Sequence, residues 1–489
     1  MEKSMERKPS IWQALLPVVF LILLLVASVN FFGSDASYGP NQIALILAAV
    51  VASLVGLRLG FTWKQKQDAM VKGVSLAMGA IFILLVVGSL IGTWIMGGIV
   101  PTMMYYGLQI LNPTIFYTAC CVICAIVAVV SGSSWTTVST IGIALVGIAA
   151  AFDLNLGIAA GAIISGAYFG DKLSPLSDTT NMAPAMVGTE LFVHIRHMLW
   201  TTVPSITIAL ILFTVIGFVQ QPSATEASGL SEILLALDSS YNLGVHLLIP
   251  VVVVLFLIYK KMPAFPALLI GALMGGITAM VFQQEVVMTF VNEPDMPRIL
   301  VLFKGFWMVM FGEFTADTGN EALNDLLTRG GMVSMLDTIW LVVSAMMFGA
   351  AMEKTGILAA ITRMILGAAR SAGSLIMATL CTALGLNIIA GDQYISIVVP
   401  GRMYRAEFEK RGLHPKNLSR ALEDSGTLTS ALIPWNTCGA FMAATLGVPT
   451  LVYLPFAFFN YTNPVISAIY GFTGFTIIPL EEGEASTSA

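Results

Sequence analysis

Uninterrupted apolar runs decide what this chain can fold into. The plainest are residues 11–32, 42–57, 74–96, 205–219, 245–259, 264–282, 338–352 and 451–470. Crossing a hydrocarbon layer of ~30 Å as a helix takes about 20 apolar residues. The chain is 489 residues long, 57% hydrophobic and 10% charged, against about a quarter charged in soluble domains. No soluble core of that size could hide so much apolar surface, so the solvent is lipid and the fold class is an all-α polytopic membrane protein. The first run is too long for a signal peptide, and no small-residue cleavage pattern precedes Tyr38, Gly39 and Pro40.

Basic residues give the orientation, because cytoplasmic loops carry them in excess. The reading places ten crossings and two re-entrant hairpins. Lys3, Arg7 and Lys8, then Arg58, Lys64, Lys66 and Lys72, then Arg196, then Lys260 and Lys261 fall on one side, as do nine more basic residues in 354–420. The other side receives 220–242, with acids and no Lys or Arg, and 284–331, with Arg298, Lys304 and Arg329 among seven acids. Both termini are expected in the cytoplasm. The short apolar stretch 299–311 is expected as an interfacial helix on the outer face.

The two halves match each other. Gly73 pairs with Gly331, Gly98 with Gly356, Gly132 with Gly391 and Pro204 with Pro464, while Asp178, Thr179 and Thr180 fall near Asn436 and Thr437. The offsets run from 258 to 260. Each half is read as five transmembrane helices plus one re-entrant hairpin, and an odd number of crossings makes the second half enter from the opposite face. This is an inverted repeat with broken helices at the midplane, where sites of such proteins lie. The expected division is 1–219 for the first repeat, 220–242 for an external linker, 243–471 for the second repeat with an extra external segment at about 284–331, and 472–489 for a cytoplasmic tail.

Four interruptions mark the candidate site. They are V-S-G-S-S-W-T-T at 130–137, G-D-K-L-S-P-L-S-D-T-T-N at 170–181, the tip 390–394, and E-D-S-G-T-L-T-S-A-L-I-P-W-N-T-C-G at 423–439. Unwound backbone in a bilayer is costly unless it lines a cavity or binds something. The ionisable groups there are Asp171, Lys172, Asp178, Asp392, Glu423 and Asp424, and intramembrane charges are functional by default. Burial disfavours a charged carboxyl, so each acid can hold a proton or a metal ion. Asp171, Asp178, Asp392, Asp424 and Glu423 are the candidate ion and proton binders. Ser131, Ser133, Ser134, Ser174, Ser177, Thr179, Thr180, Asn181, Gln393, Thr427, Asn436 and Thr437 add hard oxygen ligands suited to a cation such as sodium. Helix N-termini at the tips would instead suit an anion. The bland alternative makes Asp171 and Lys172 a fixed ion pair and leaves Glu423 and Asp424 in water near a membrane face. Cys120, Cys121 and Cys124 read as small packing residues, and His194 with His197 as a surface turn at the membrane edge.

At these positions the chain resembles the NhaC family of bacterial sodium/proton antiporters. The stretches that carry the likeness are Gly166 to Asn181, Gly391 to Tyr394, Glu423 to Thr429 and Pro434 to Thr437. The resemblance implies a secondary transporter in the bacterial inner membrane, with a scaffold and a transport domain moving by an elevator-like step. It also implies sodium and protons as substrates, no cofactor and no enzymatic activity, and it leaves a homodimer open. The partners expected are the lipid bilayer and these ions, with no nucleic acid. The family includes exchangers of proton–malate for sodium–lactate, so a sodium-coupled exchanger of small carboxylates is the alternative. An intramembrane aspartyl protease using Asp171 and Asp392 lacks its Gly-x-Gly-Asp pattern, since Tyr168 and Ile389 stand there. A nucleotide-driven pump lacks a phosphate loop.

Overall fold

The computed structural model describes residues 8–220 and 226–480. The external linker is therefore described only in part, and the tail beyond 480 lies outside the described residues. Two isolated β-bridges, Phe314 with Arg329 and Leu413 with Pro479, interrupt an otherwise helical chain. Among the described residues, 9 helices are long and apolar enough to cross a membrane, or up to 11 if two sharply bent pairs each count as one span. The helix Ile11–Phe32 opens on a capping box between Ser10 and Gln13 and leaves Leu16, Val19, Leu23 and Val26 exposed. A helix apolar on its exposed face belongs against lipid.

The expected runs lie on helices, with four adjustments. Residues 74–76 end the helix Trp63–Leu76, and the rest of the run 74–96 forms Met78–Met96. Residues 205–219 are the later part of the 29-residue helix Leu191–Val219, with Pro204 inside it. Residues 245–259 follow Leu230–Ser240 across an 86° bend. Residues 451–470 are not one helix. Thr450–Tyr453 and the turn Leu454–Phe456 precede Phe458–Thr473, because Pro455 lacks the N–H that a continuous helix would use.

Element boundaries recur between the halves. Met78–Met96 and Leu336–Lys354 are both 19 residues long and start 258 apart. Each is followed by a left-handed glycine, Gly98 or Gly356, opening a 12-residue helix. Gly132 (φ 66°) and Gly391 (φ 68°) end the next helices. Leu156–Leu173 begins 259 residues before Pro415–Leu422. Asp178–Val187 and Thr437–Leu446 are both 10 residues long, and left-handed Gly188 and Gly447 close them. Ser177 thus matches Asn436, and Asp178 matches Thr437.

Small residues hold the site-bearing helices together. Phe116–Ser131 lies along Leu156–Leu173 so closely that a Cβ on Gly166 would sit 2.1 Å from the Cys121 carbonyl oxygen, and one on Gly170 2.4 Å from that of Ala125. Cys120, Cys121 and Cys124 are buried in this seam, as packing residues of their size should be. No group of three or more His, Cys, Asp or Glu able to hold a metal occurs among the described residues.

Candidate ion-binding site

Each of the four interruptions contains a residue that caps the helix after it. Ser133 caps Ser134–Thr137, which continues to Ala151, and Ser177 caps Asp178–Val187. Asp392 caps Gln393–Lys410, and Asn436 caps Thr437–Leu446. Serine, aspartate and asparagine do this because a side-chain oxygen accepts an amide that has no partner within the helix. Helix N-termini carry partial positive charge, and here that charge meets protein oxygens. The Ser134 amide donates to Asp171 Oδ2 at 3.0 Å, and the Ser134 hydroxyl donates to the same oxygen at 2.6 Å. Asp392 Oδ1 accepts from the Tyr394 and Ile395 amides at 2.9 and 3.1 Å. Asp178 Oδ1 accepts from the Thr179 amide at 2.8 Å, and Asn436 Oδ1 from the Cys438 amide at 3.0 Å. The Thr437 amide donates to the Gly391 carbonyl at 2.9 Å, which ties the fourth break to the second tip.

These ends surround one cavity of about 790 Å³. Among the sequence candidates, Asp171, Asp178, Asp392, Ser131, Ser133, Ser134, Asn181, Gln393 and Thr437 line it. The turns around Leu76–Ala80 and Lys261–Ala264 form another part of its wall. Asp171 is buried and its Oδ1 has no hydrogen-bond partner among the described residues, whereas Asp178 is exposed within the cavity. The Tyr394 hydroxyl donates to Asp178 Oδ2, and Thr437 Oγ1 stands 3.5 Å from Asp392 Oδ2.

The other candidates lie off the cavity. Ser174 donates to the Val129 carbonyl, and Thr180 to the carbonyls of Asp171 and Lys172. Ser177 and Thr179 share a hydroxyl pair at 3.2 Å. Asn436 donates to Asn387, and Thr427 is buried with its hydroxyl unpaired. Lys172 does not pair with Asp171. Adjacent helix positions project about 100° apart, and Lys172 points instead to Asp424 and to Asn463 Oδ1, the latter at 2.9 Å. Asp424 also accepts from Thr201 at 3.0 Å, with Arg420 3.9 Å away. Glu423 and Asp424 are fully buried rather than in water. His194 and His197 are likewise buried, not a surface turn. His194 Nδ1 and Ser419 Oγ are 2.8 Å apart, because Leu191–Val219 packs its first turns on Pro415–Leu422.

Sequence reasoning missed Tyr394 as a partner of Asp178, and Asn387, Thr201 and Asn463 as partners of buried polar groups. Thr201 and Asn463 sit close to the matched prolines Pro204 and Pro464, a signal that was available. Asn387 had none, lying within the apolar helix Ala372–Ala390.

A family model described as the Na+/H+ antiporter family matches residues 166–475, which hold all four capped breaks except the first tip. The chain is 39% identical over 470 residues to the Na+/H+ antiporter NhaC of Alkalihalophilus pseudofirmus, covering 96% of this chain and 97% of that one. It is 38% identical to the malate-2H+/Na+-lactate antiporter of Bacillus subtilis, covering 96% of each. It is 36% identical to the arginine/ornithine antiporter ArcD of Halobacterium salinarum, covering 96% of this chain and 93% of that one. With a matched family model across most of its length and full-length relatives of this similarity, the chain belongs to the Na+/H+ antiporter family.

Proposed function

We propose that this protein exchanges sodium for protons across a bacterial cytoplasmic membrane, using Asp171, Asp178 and Asp392 as alternating sites for either ion. One observation carries the reading: three carboxylates face one cavity whose surrounding helix N-termini already have protein acceptors. The Ser134, Tyr394, Ile395, Thr179, Cys438 and Thr437 amides are all taken. An anionic substrate would normally use such amides. A cation instead meets carboxylates held in place by them, with the oxygens of Ser131, Ser133, Ser134, Asn181, Gln393 and Thr437 as further ligands. Sodium displaces protons from the acids, and protons displace sodium, by linkage.

The duplicated elements support an inverted repeat with its site between the halves, moving as an elevator-like unit. Lys72 and Lys261 flank the wall turns of the cavity, and an excess of basic residues marks the cytoplasmic side. The described conformation is therefore read as open to the inside. The test is purified protein in proteoliposomes with an internal pH dye, free of organic acids. Sodium added outside should alkalinise the lumen.

The cavity volume favours a second reading. About 790 Å³ is far more than a bare ion needs and falls in the range of ~300–1,000 Å³ typical of small-molecule pockets. One relative bears the name of a malate and lactate exchanger. A pH signal that arises only after malate or lactate is supplied would decide for a carboxylate exchanger.

A further inference from the structure

Arg329 is a charge without an acid in the segment 284–331. The other two basic residues there are paired, Arg298 with Glu285 at 3.0 Å and Lys304 with Glu293. Arg329 has no carboxylate partner among the described residues, and its Nε is buried with no hydrogen-bond partner there. A guanidinium so placed needs an electronegative neighbour. It finds one at the last residue of Thr437–Leu446, where Nη1 donates to the Leu446 carbonyl at 3.4 Å. The last carbonyls of a helix lack partners within it, and its C-terminus carries partial negative charge. Gly447 closes this helix in the left-handed conformation (φ 70°), and a Cβ there would stand 3.0 Å from Arg329 Nη1.

The two sides of this contact are anchored to different elements. The backbone around Arg329 is fixed to Met78–Met96. The Gly331 amide donates to the Gly88 carbonyl at 2.7 Å, and a Cβ on Gly330 would sit 2.4 Å from the Gly92 nitrogen. Phe314 pairs with Arg329 in a β-bridge, and the Ala316 amide donates to Thr328 Oγ1 at 3.0 Å. Thr437–Leu446 is tied instead to the second tip, through the Thr437 amide and the Gly391 carbonyl, and Thr437 lines the cavity. Beyond Gly447 the chain turns through Thr450–Tyr453, which lies against Leu156–Leu173. A Cβ on Gly157 would be 2.7 Å from the Val452 carbonyl oxygen. Arg329 thus reaches from elements that carry none of the four breaks to elements that carry them. Its hold is one long hydrogen bond, whereas Lys172 is gripped by both Asp424 and Asn463. A contact of this kind positions a helix and can still be broken.

We infer that Arg329 is an external latch: it holds the end of Thr437–Leu446 while the cavity is open to the inside, and it lets go when the cavity opens outward. The inference rests on the elevator-like reading above. In that reading the breaks, their capped helices and the turn at Thr450–Tyr453 move together past Met78–Met96. Movement toward the outer face carries Leu446 away from Arg329, whose backbone stays with Gly88 and Gly92. The guanidinium therefore favours one of two conformations, and removing it shifts the balance toward the other.

The experiment is pulsed electron-spin distance measurement on the full chain in lipid nanodiscs. Spin labels go on Asp325→Cys and Leu451→Cys in a background lacking the native cysteines. Asp325 lies on Glu321–Leu327 just before Arg329, Leu451 lies just after Gly447, and both are exposed. With Arg329 in place, a short distance should prevail over a longer one. Arg329→Gln should raise the ratio of long to short about tenfold, the weight of one hydrogen bond from a charged donor. A longer distance that appears only in the variant supports the latch equally. Where Arg329→Gln does not fold, Gly447→Ala takes its place, because its methyl would displace Nη1 from the other side, and the same shift is expected. Two distances in a folded variant at the ratio seen with Arg329 and Gly447 intact overturn the latch alone, as does a broadened short distance with no change in ratio. One unchanged distance, with and without the substitution, at every sodium concentration and pH overturns the elevator-like reading and the latch with it.

Discussion

Asp171 shows how much one residue is asked to do. Its Oδ2 fixes the start of the helix after the first tip through two bonds from Ser134, while its Oδ1 stays unpaired. Asparagine can keep the first role but not the charge. Asp171→Asn and Asp178→Asn are therefore expected to express and fold, and to lose sodium-driven exchange by at least about tenfold, or about 1.4 kcal/mol, in proteoliposomes. Normal rates in both variants would remove the shared-carboxylate mechanism. Lys172 and Asp424 make a different prediction. Breaking a buried pair by removing one partner costs about 3–5 kcal/mol, whereas replacing both with apolar residues is often tolerated. Lys172→Met should lower the melting temperature in detergent markedly, and Lys172→Met with Asp424→Leu should recover much of the loss. Equal melting of the single and double variants would mean that the pair is not what holds these helices together.

At the scale of elements, the two tips use the same device: a left-handed glycine followed by an extended N-cap residue. Gly132 has far less room than Gly391. A Cβ at Gly132 would sit 2.6 Å from Leu176 Cβ and 2.9 Å from its carbonyl carbon, whereas one at Gly391 would meet Ala345 Cβ at 3.0 Å. The left-handed conformation alone costs a non-glycine residue about 1–2 kcal/mol. Gly132→Ala should thus be the more damaging of the two by thermal melting and by transport, and the reverse order would contradict the packing described at the first tip. The interruptions were legible in the sequence because Gly, Pro and hydroxyl residues stand out inside apolar runs. What they contact was not legible. Lys172 looked like the partner of its neighbour Asp171, since spacing along a chain says nothing about a residue 252 positions away. The helix at 451–470 looked continuous for a related reason: hydropathy does not register that one proline withholds an amide.

For the whole molecule, sodium affinity should depend on acidity with a definite sign. Carboxyls bind sodium only after losing their protons, so the apparent affinity weakens as pH falls, by up to about tenfold per pH unit for each proton displaced. Titrations of sodium binding at several pH values check this, and a pH-independent affinity would exclude competition at the cavity. Orientation has its own measurement. In a background lacking the five native cysteines, Asp238→Cys should react with an impermeant thiol reagent from outside and Lys410→Cys from inside. Reaction of both from one face would remove the ten-crossing topology and the inverted repeat. Membrane class was visible in the sequence because it depends on the local composition of long apolar runs. The number of crossings was less so, because two helix pairs bent by 86° and 89° qualify as spans only when each pair is counted as one.

The pairing of Lys172 with Asp424 across 252 residues also has a consequence in time. A ribosome adds about 5–20 residues per second, so roughly 10–50 s pass between the emergence of the lysine and that of its counter-charge. During that interval the first half carries an uncompensated ammonium, together with the ring of His194, whose partner Ser419 comes from the same late segment. Newly made chains must therefore keep these groups at the membrane surface, or against water within the insertion machinery, and the first half closes only when the segment from 415 to 427 arrives. Nascent chains stalled before that segment should remain open to proteases at helices that are protected in the finished protein.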